Sequence, residues 1–163
     1  MTPDLLGFVR VLSGGSVDYI IVGGVAAGIH GALRTTIDLD VVYARNTPNV
    51  DRLVAALEPY HPYLRGAPSG LPFRLDADTV WRGLNFTLTT SLGDLDLIAE
   101  ITGGGDYEAL QSSAQVIDLQ VFQCLVVSLP KLIYLKRAAG RAKDREALGE
   151  LEALLEERER SEQ

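Results

Sequence analysis

The chain has 163 residues, 47% of them hydrophobic and 23% charged, a net charge of −7 and a single cysteine. That length and composition suit one domain with its own core. They exclude a membrane helix, since no apolar run reaches the roughly eighteen residues one needs, and an internal disulfide or cysteine-based zinc site, and the negative charge argues against a general binder of nucleic acid.

The first segment, MTPDLLGFVRVLSGG, is too short and acidic for a signal peptide. It reads as a helix with Thr2 as cap, Pro3 in the first turn, and Leu5, Leu6, Val9 and Leu12 on one face. Asp18–Val22 is a short buried strand ended by Gly23-Gly24, and a helix of small residues follows over about 25–31. Thr36–Tyr43 is a second strand. Thr47 caps the next helix, opened by Pro48, with Val50, Leu53, Val54 and Leu57 at helical spacing. Residues 60–82, rich in Pro, Gly and Arg, form a loop with room for a short helix or an irregular strand. Asn85–Thr89 and Leu95–Ala99 form a hairpin around Ser91-Leu92-Gly93, and Gly103–Gly105 is another loop. At least one strand lies within Val116–Val127, and Cys124 in its VFQCLVV run is a packing residue. Ser128 caps a helix with Pro130 in its first turn and Gly140 at its end. A last amphipathic helix carries Ala147, Leu148, Leu151, Leu154 and Leu155. The lone cysteine fits a reducing, cytoplasmic home.

Asp38 and Asp40 stand two apart on an apolar strand, so both side chains face one way while Ile37, Leu39 and Val41 face the other. Adjacent carboxylates there repel each other and lose hydration, and a divalent cation relieves both penalties. Asp94 and Asp96 repeat the pattern in GDLDLI. If the two strands lie side by side, they form an oxygen-rich site suited to magnesium. The alternative is that each pair lies on a solvent-facing edge. Asp94 adjoins the turn and reads as a solvated turn aspartate; Asp96, deeper in its strand, is the expected third ligand with Asp38 and Asp40. Strand, Gly23-Gly24 and helix make a workable phosphate site, though the same pattern also serves as plain turn chemistry.

Lys136 falls in the middle of the apolar face formed by Leu129, Leu132, Ile133 and Ala139. A lysine there needs a carboxylate or a ligand phosphate, unless its stem only snorkels to water. It belongs to a cationic run: Lys131, Lys136, Arg137, Arg141, Lys143 and Arg145. Asp144 begins the final helix and either caps it or holds Lys136. Arg34 precedes the acidic strand, where it meets a triphosphate or is an ordinary surface arginine. Arg141 and Lys143 are surface charges with some attraction for phosphate. His30 reads as packed or capping rather than catalytic. Trp81 and Tyr63, flanking the irregular segment, read as packing rather than base-stacking.

GGVAAGIHGALRTTIDLD resembles the glycine motif and D-x-D of the nucleotidyltransferase superfamily, most closely its AbiEii-type and MenT-type branch, through Gly23, Gly24, Ala26, His30, Gly31, Arg34, Thr36, Asp38 and Asp40. The stretch LPKLIYLKRAAGRAKDREAL resembles that branch's C-terminal motif at Lys136, Lys143 and Asp144. The resemblance implies an α/β (α+β) fold, a mixed sheet flanked by helices in one domain, with its core over about 18–127 and C-terminal helices over about 129–158. It implies an enzyme that uses NTP and two Mg2+ ions to move a nucleotide to an acceptor. In relatives the acceptor can be the 3′ end of tRNA, and the enzyme can be the toxin paired with a cognate antitoxin; the acceptor expected here is the 3′ end of tRNA or a protein. The implied site is Asp38, Asp40 and Asp96 for metal and, with Lys136, for catalysis, and Gly23, Gly24, Arg34, Lys136 and Asp144 for nucleotide. The wider superfamily has Gly-Ser where this chain has Gly23-Gly24, which leaves only backbone N–H groups for the triphosphate. That departure supports the alternative of a weakly active or inactive nucleotide- or protein-binding module.

Overall fold

Two carboxylate-bearing strands pair in parallel at the centre of a seven-stranded mixed sheet, and the rest of the chain is arranged around them. The computed structural model describes residues 3–33, 35–120 and 122–163, with the side chain of Lys143 left out. The expectations for Thr2, Arg34 and the Lys143 side chain lie outside the described residues.

Helix α1 (Leu5–Gly14) is capped by Asp4, whose carboxylate accepts from the Gly7 N–H at 2.9 Å. Its buried face is Gly7, Phe8, Val9 and Leu12, whereas Leu6, expected inside, is 46% exposed. At 100° per residue Leu6 falls outside the arc that Phe8, Leu12 and Val9 define. Strand β1 (Tyr19–Val22) is buried throughout and runs straight into α2 (Gly23–Ile29), so the two glycines form the first turn of that helix rather than a bend ahead of it. After β2 (Asp38–Tyr43), helix α3 (Thr47–Leu57) is capped by extended Asn46, which accepts from the Asn49 N–H; Thr47 is already helical. The irregular segment holds both a strand and a helix: β3 (Tyr63–Leu64) and α4 (Ala77–Arg82), the latter capped by Asp76. The hairpin of β4 (Phe86–Thr90) and β5 (Gly93–Ile98) turns over Ser91-Leu92, with Thr90 opposite Gly93. Beyond α5 (Tyr107–Gln111), the stretch expected to hold at least one strand contains most of two, β6 (Ala114–Asp118) and β7 (Gln123–Val127). Ser128 caps α6 (Leu129–Ala139), left-handed Gly140 ends it, and α7 (Ala142–Ser161) closes the chain.

The strand order is β3-β4-β5-β2-β1-β7-β6. β1 pairs antiparallel with β2 and parallel with β7, while β2 pairs parallel with β5. On one face of the central strands Leu39, Val41, Leu95 and Leu97 are fully buried in the core with Phe8, Leu12, Val50 and Leu53; each such side chain taken from water contributes about 1.5–3 kcal/mol. On the other face the same alternation aligns Asp38, Asp40, Asp94 and Asp96. Helix α6 contacts both α2 and α7. His30 is packed, as expected: its Nε2 donates to the Val127 carbonyl at 2.8 Å, and Arg158 lies 3.2 Å from Nδ1 and donates to the His30 carbonyl at 3.0 Å. Burial keeps this imidazole below its ordinary pKa, and Arg158 adds to the effect. Cys124 is buried, and that burial pushes its thiol up to about 11, as suits a packing residue. Among the described residues no helix is long and apolar enough to cross a membrane.

Candidate active site

The parallel register sets Asp38 opposite Asp94 and Asp40 opposite Asp96. Asp38, Asp40 and Asp96 each offer a carboxylate oxygen within 4.8 Å of the other two. Neither D-x-D pair lies on a sheet edge, because β2 and β5 both have neighbours on either side. Burial pushes the Asp40 carboxyl up to about 8, with Asp38 and Asp96 adding to the effect. Asp96 is raised by burial and by Asp38, against the pull of a neighbouring arginine. Asp40 Oδ1 is buried and has no hydrogen-bond partner. A buried carboxylate oxygen without a donor, in an all-oxygen cluster of this size, is the environment a divalent cation satisfies.

Gly23 adjoins the cluster directly. Its φ is +70°, and a Cβ there would run into the Asp40 carboxylate, so both backbone and space require glycine. Gly23, Gly24, Asp38, Asp40, Asp96 and Lys136 line one cavity of about 680 Å³, within the range of small-ligand sites. Apolar side chains from β5 and α6, among them Ile98, Leu132 and Leu135, share its wall.

Lys136 reaches a carboxylate, as its place on the apolar face required: Nζ lies 3.2 Å from Asp144 Oδ1. Asp144 is fully buried, and Arg141 Nε also donates to it at 2.7 Å. Burial pushes its carboxyl up, but the bonds from Arg141 and Lys136 outweigh that and hold it below its ordinary value. Asp144 is therefore not the cap of α7; it sits within the first turn, and Arg141 holds the cap position. Arg141 is exposed, as expected, yet engaged. Asp144→Ala is expected to cost roughly 3 kcal/mol, the low end for breaking a buried pair, because Lys136 can turn to water. Lys136→Ala should cost less, since Arg141 still pairs with Asp144. Urea denaturation of both variants checks the order.

The residue that sequence reasoning missed is Arg65. Its Nη2 lies 2.8 Å from Asp96 Oδ1, its Nε 3.2 Å from Asp94 Oδ2, and its Nη1 4.0 Å from Asp38 Oδ2. Nη2 also donates to the Leu88 carbonyl at 2.8 Å. β3 puts it there: the Arg65 N–H bonds the Thr87 carbonyl, and Thr87 stands opposite Asp96. Asp94 is thus no solvated turn aspartate, because β5 starts at Gly93 and carries it onto the acidic face beside Arg65. The only hint in the sequence was a lone arginine behind two apolar residues, too short a run to read as a strand. Tyr63 packs as expected, edge-on to Phe73 at 6.0 Å, whereas Trp81 is 42% exposed, with the Arg45 guanidinium over its ring at 5.0 Å.

No family model and no curated sequence matches the chain. Solved structures do. The lincosamide antibiotic adenylyltransferase LnuA, solved with lincomycin bound, aligns over 93% of this chain and 96% of its own, with a TM-score of 0.61 and 14% identity. A Thermotoga maritima protein assigned as a nucleotidyltransferase aligns over 90% and 88%, with a TM-score of 0.57 and 12% identity. An antigenic nucleotidyltransferase-like protein from Paracoccidioides brasiliensis aligns over 93% and 72%, with a TM-score of 0.55 and 15% identity. The expected fold, a nucleotidyltransferase-like mixed sheet flanked by helices, is the one observed.

Proposed function

We propose that this chain transfers a nucleotide from an NTP to an acceptor hydroxyl, with two Mg2+ ions held by Asp38, Asp40 and Asp96. The observation that carries the reading is the register of β2 on β5, which gathers three carboxylates beside the Gly23 junction in one cavity. The nucleotidyltransferase-like fold supports it. The phosphates lie along Gly23 and Gly24, within reach of Lys136, which Asp144 holds in place. Arg34 belongs to the same phosphate group of residues. The base takes the apolar wall of Ile98, Leu132 and Leu135. Asp96, on the strand farther from the glycines, orients the acceptor hydroxyl for in-line attack on the α-phosphorus; the new P–O bond forms as the bond to pyrophosphate breaks, and the hydroxyl proton leaves to water. Bound divalent cations would supply positive charge against the triphosphate and acidify the attacking hydroxyl.

A second reading concerns the acceptor. In the cationic run, Lys136 and Arg141 pair with Asp144, Arg137 pairs with Glu152, and Lys131 lies over the Tyr134 ring at 4.6 Å, so these charges already have partners within the chain. With a net charge of −7, this favours a small-molecule acceptor, as the lincosamide antibiotic is for LnuA, over the tRNA 3′ end or the toxin–antitoxin setting that the sequence resemblance implies. The test is pyrophosphate release from labelled NTPs with Mg2+, across RNA, protein and small-molecule acceptors. Asp38→Ala, Asp40→Ala and Asp96→Ala should each lower the rate by about a thousandfold or more; turnover that survives all three substitutions refutes the reading.

A further inference from the structure

Gly24 has an ordinary backbone conformation, unlike Gly23, so nothing in its φ demands glycine. What a side chain there would crowd is Thr36. A Cβ at Gly24 would lie 3.0 Å from Thr36 Oγ1 and 3.1 Å from Thr36 Cβ, closer than ordinary packing. The threonine side chain, arriving from the segment before β2, fills the space that a residue-24 side chain would take. Its hydroxyl donates to the Asp38 carbonyl at 3.0 Å, and Thr36 lines the same cavity as Gly23, Gly24, Asp38 and Lys136.

We propose that Thr36 Oγ1 is the hydroxyl ligand of the NTP phosphates in this chain, in place of the side-chain hydroxyl that Gly24 lacks. The inference rests on the nucleotidyltransferase reading. Thr36 is anchored next to the first of the metal-cluster carboxylates, and its one donor proton is held by a backbone carbonyl. Rotation about Cβ–Oγ turns that proton into the cavity, where a phosphate oxygen is the stronger acceptor. A side chain at 24 and a threonine at 36 are alternatives for one space, which explains why a glycine pair here coexists with a nucleotide-sized cavity.

The test is calorimetric binding of α,β-methylene NTP analogues in Mg2+. Thr36→Val should weaken binding about tenfold or more, the loss of a hydrogen bond to a charged group, and Thr36→Ser should stay within about threefold of the parent. Gly24→Ser alone should weaken binding by crowding Thr36, and adding Thr36→Ala to it should restore affinity toward the parent. Mn2+ affinity without nucleotide should be the same in Thr36→Val as in the parent, which separates a phosphate contact from a mere prop for Asp38. Unchanged analogue binding in Thr36→Val, unimpaired binding in Gly24→Ser, or a matching loss of Mn2+ affinity overturns the inference while leaving the function standing. A parent protein that binds none of the analogues overturns both.

Discussion

Asp40→Asn is expected to abolish nucleotide transfer and yet raise the melting temperature of the metal-free protein. The Asp40 carboxyl titrates near 8 in the fold, against an ordinary 3.8. Between these values the unfolded chain gives up the proton while the folded one keeps it, so the folded state loses stability as pH rises through that window, and the full loss is reached above about 8. Asparagine has no such dependence. The gap between variant and parent should therefore be small near pH 4 and widen up to pH 8, where the variant gains on the order of 2–4 kcal/mol, or roughly 5–15 °C for a chain of this length. Saturating Mg2+ should reverse the order, because cation binding to the intact carboxylates stabilises the parent alone. Thermal melts in EDTA and in Mg2+ at several pH values read all of this. An EDTA-treated Asp40→Asn protein that melts at or below the parent at pH 8 would mean that the Asp40 carboxylate carries no penalty.

Arg65→Leu is expected to act in the opposite direction. The guanidinium lies within 4.0 Å of Asp38, Asp94 and Asp96, and a backbone carbonyl fixes it there. In the metal-free protein its positive charge offsets the negative charge of these three carboxylates. Its removal leaves like charges facing one another on adjacent strands, at a cost of about 2 kcal/mol, less than for a fully buried pair because these side chains are about a quarter exposed. A divalent cation supplies the same neutralisation, so the deficit in EDTA should close as Mn2+ is added, and the variant should gain more from the metal than the parent does. Arg65→Lys should recover only part of the loss, because one ammonium cannot span three carboxylates and a carbonyl. Melts that show no deficit in EDTA, or a deficit that Mn2+ leaves unchanged, would remove Arg65 from the electrostatics of the site.

The parts of the site that lie on one segment could be read from the chain. Alternation in TIDLDVVY put Asp38 and Asp40 on one face, and helical spacing put Lys136 among apolar neighbours where it called for a carboxylate or a phosphate unless its stem snorkelled to water. The pairing of β2 with β5 is a different matter: 49 residues lie between the strands, and a parallel register has no local turn to announce it. Only that pairing turns two D-x-D motifs into one cluster and brings Asp94 off the turn. Arg65 was invisible for a similar reason, since a two-residue strand has no period to detect. Local ambiguity explains the shifted cap of α3: Asn46 and Thr47 are neighbours, both side chains are good caps, and backbone conformation decides between them. Asp144 looked like such a cap and is instead the buried partner of two cations, because α7 starts at Ala142 and turns it inward.

Anomalous diffraction from crystals grown with Mn2+ and an α,β-methylene NTP analogue reports directly on where cation and phosphates go. The account predicts manganese peaks bonded to oxygens of Asp38, Asp40 and Asp96, with the phosphate chain against Gly23 and Gly24. Manganese bound elsewhere on the protein, with Arg65 still closed over Asp96 and the nucleotide outside this cavity, would contradict it.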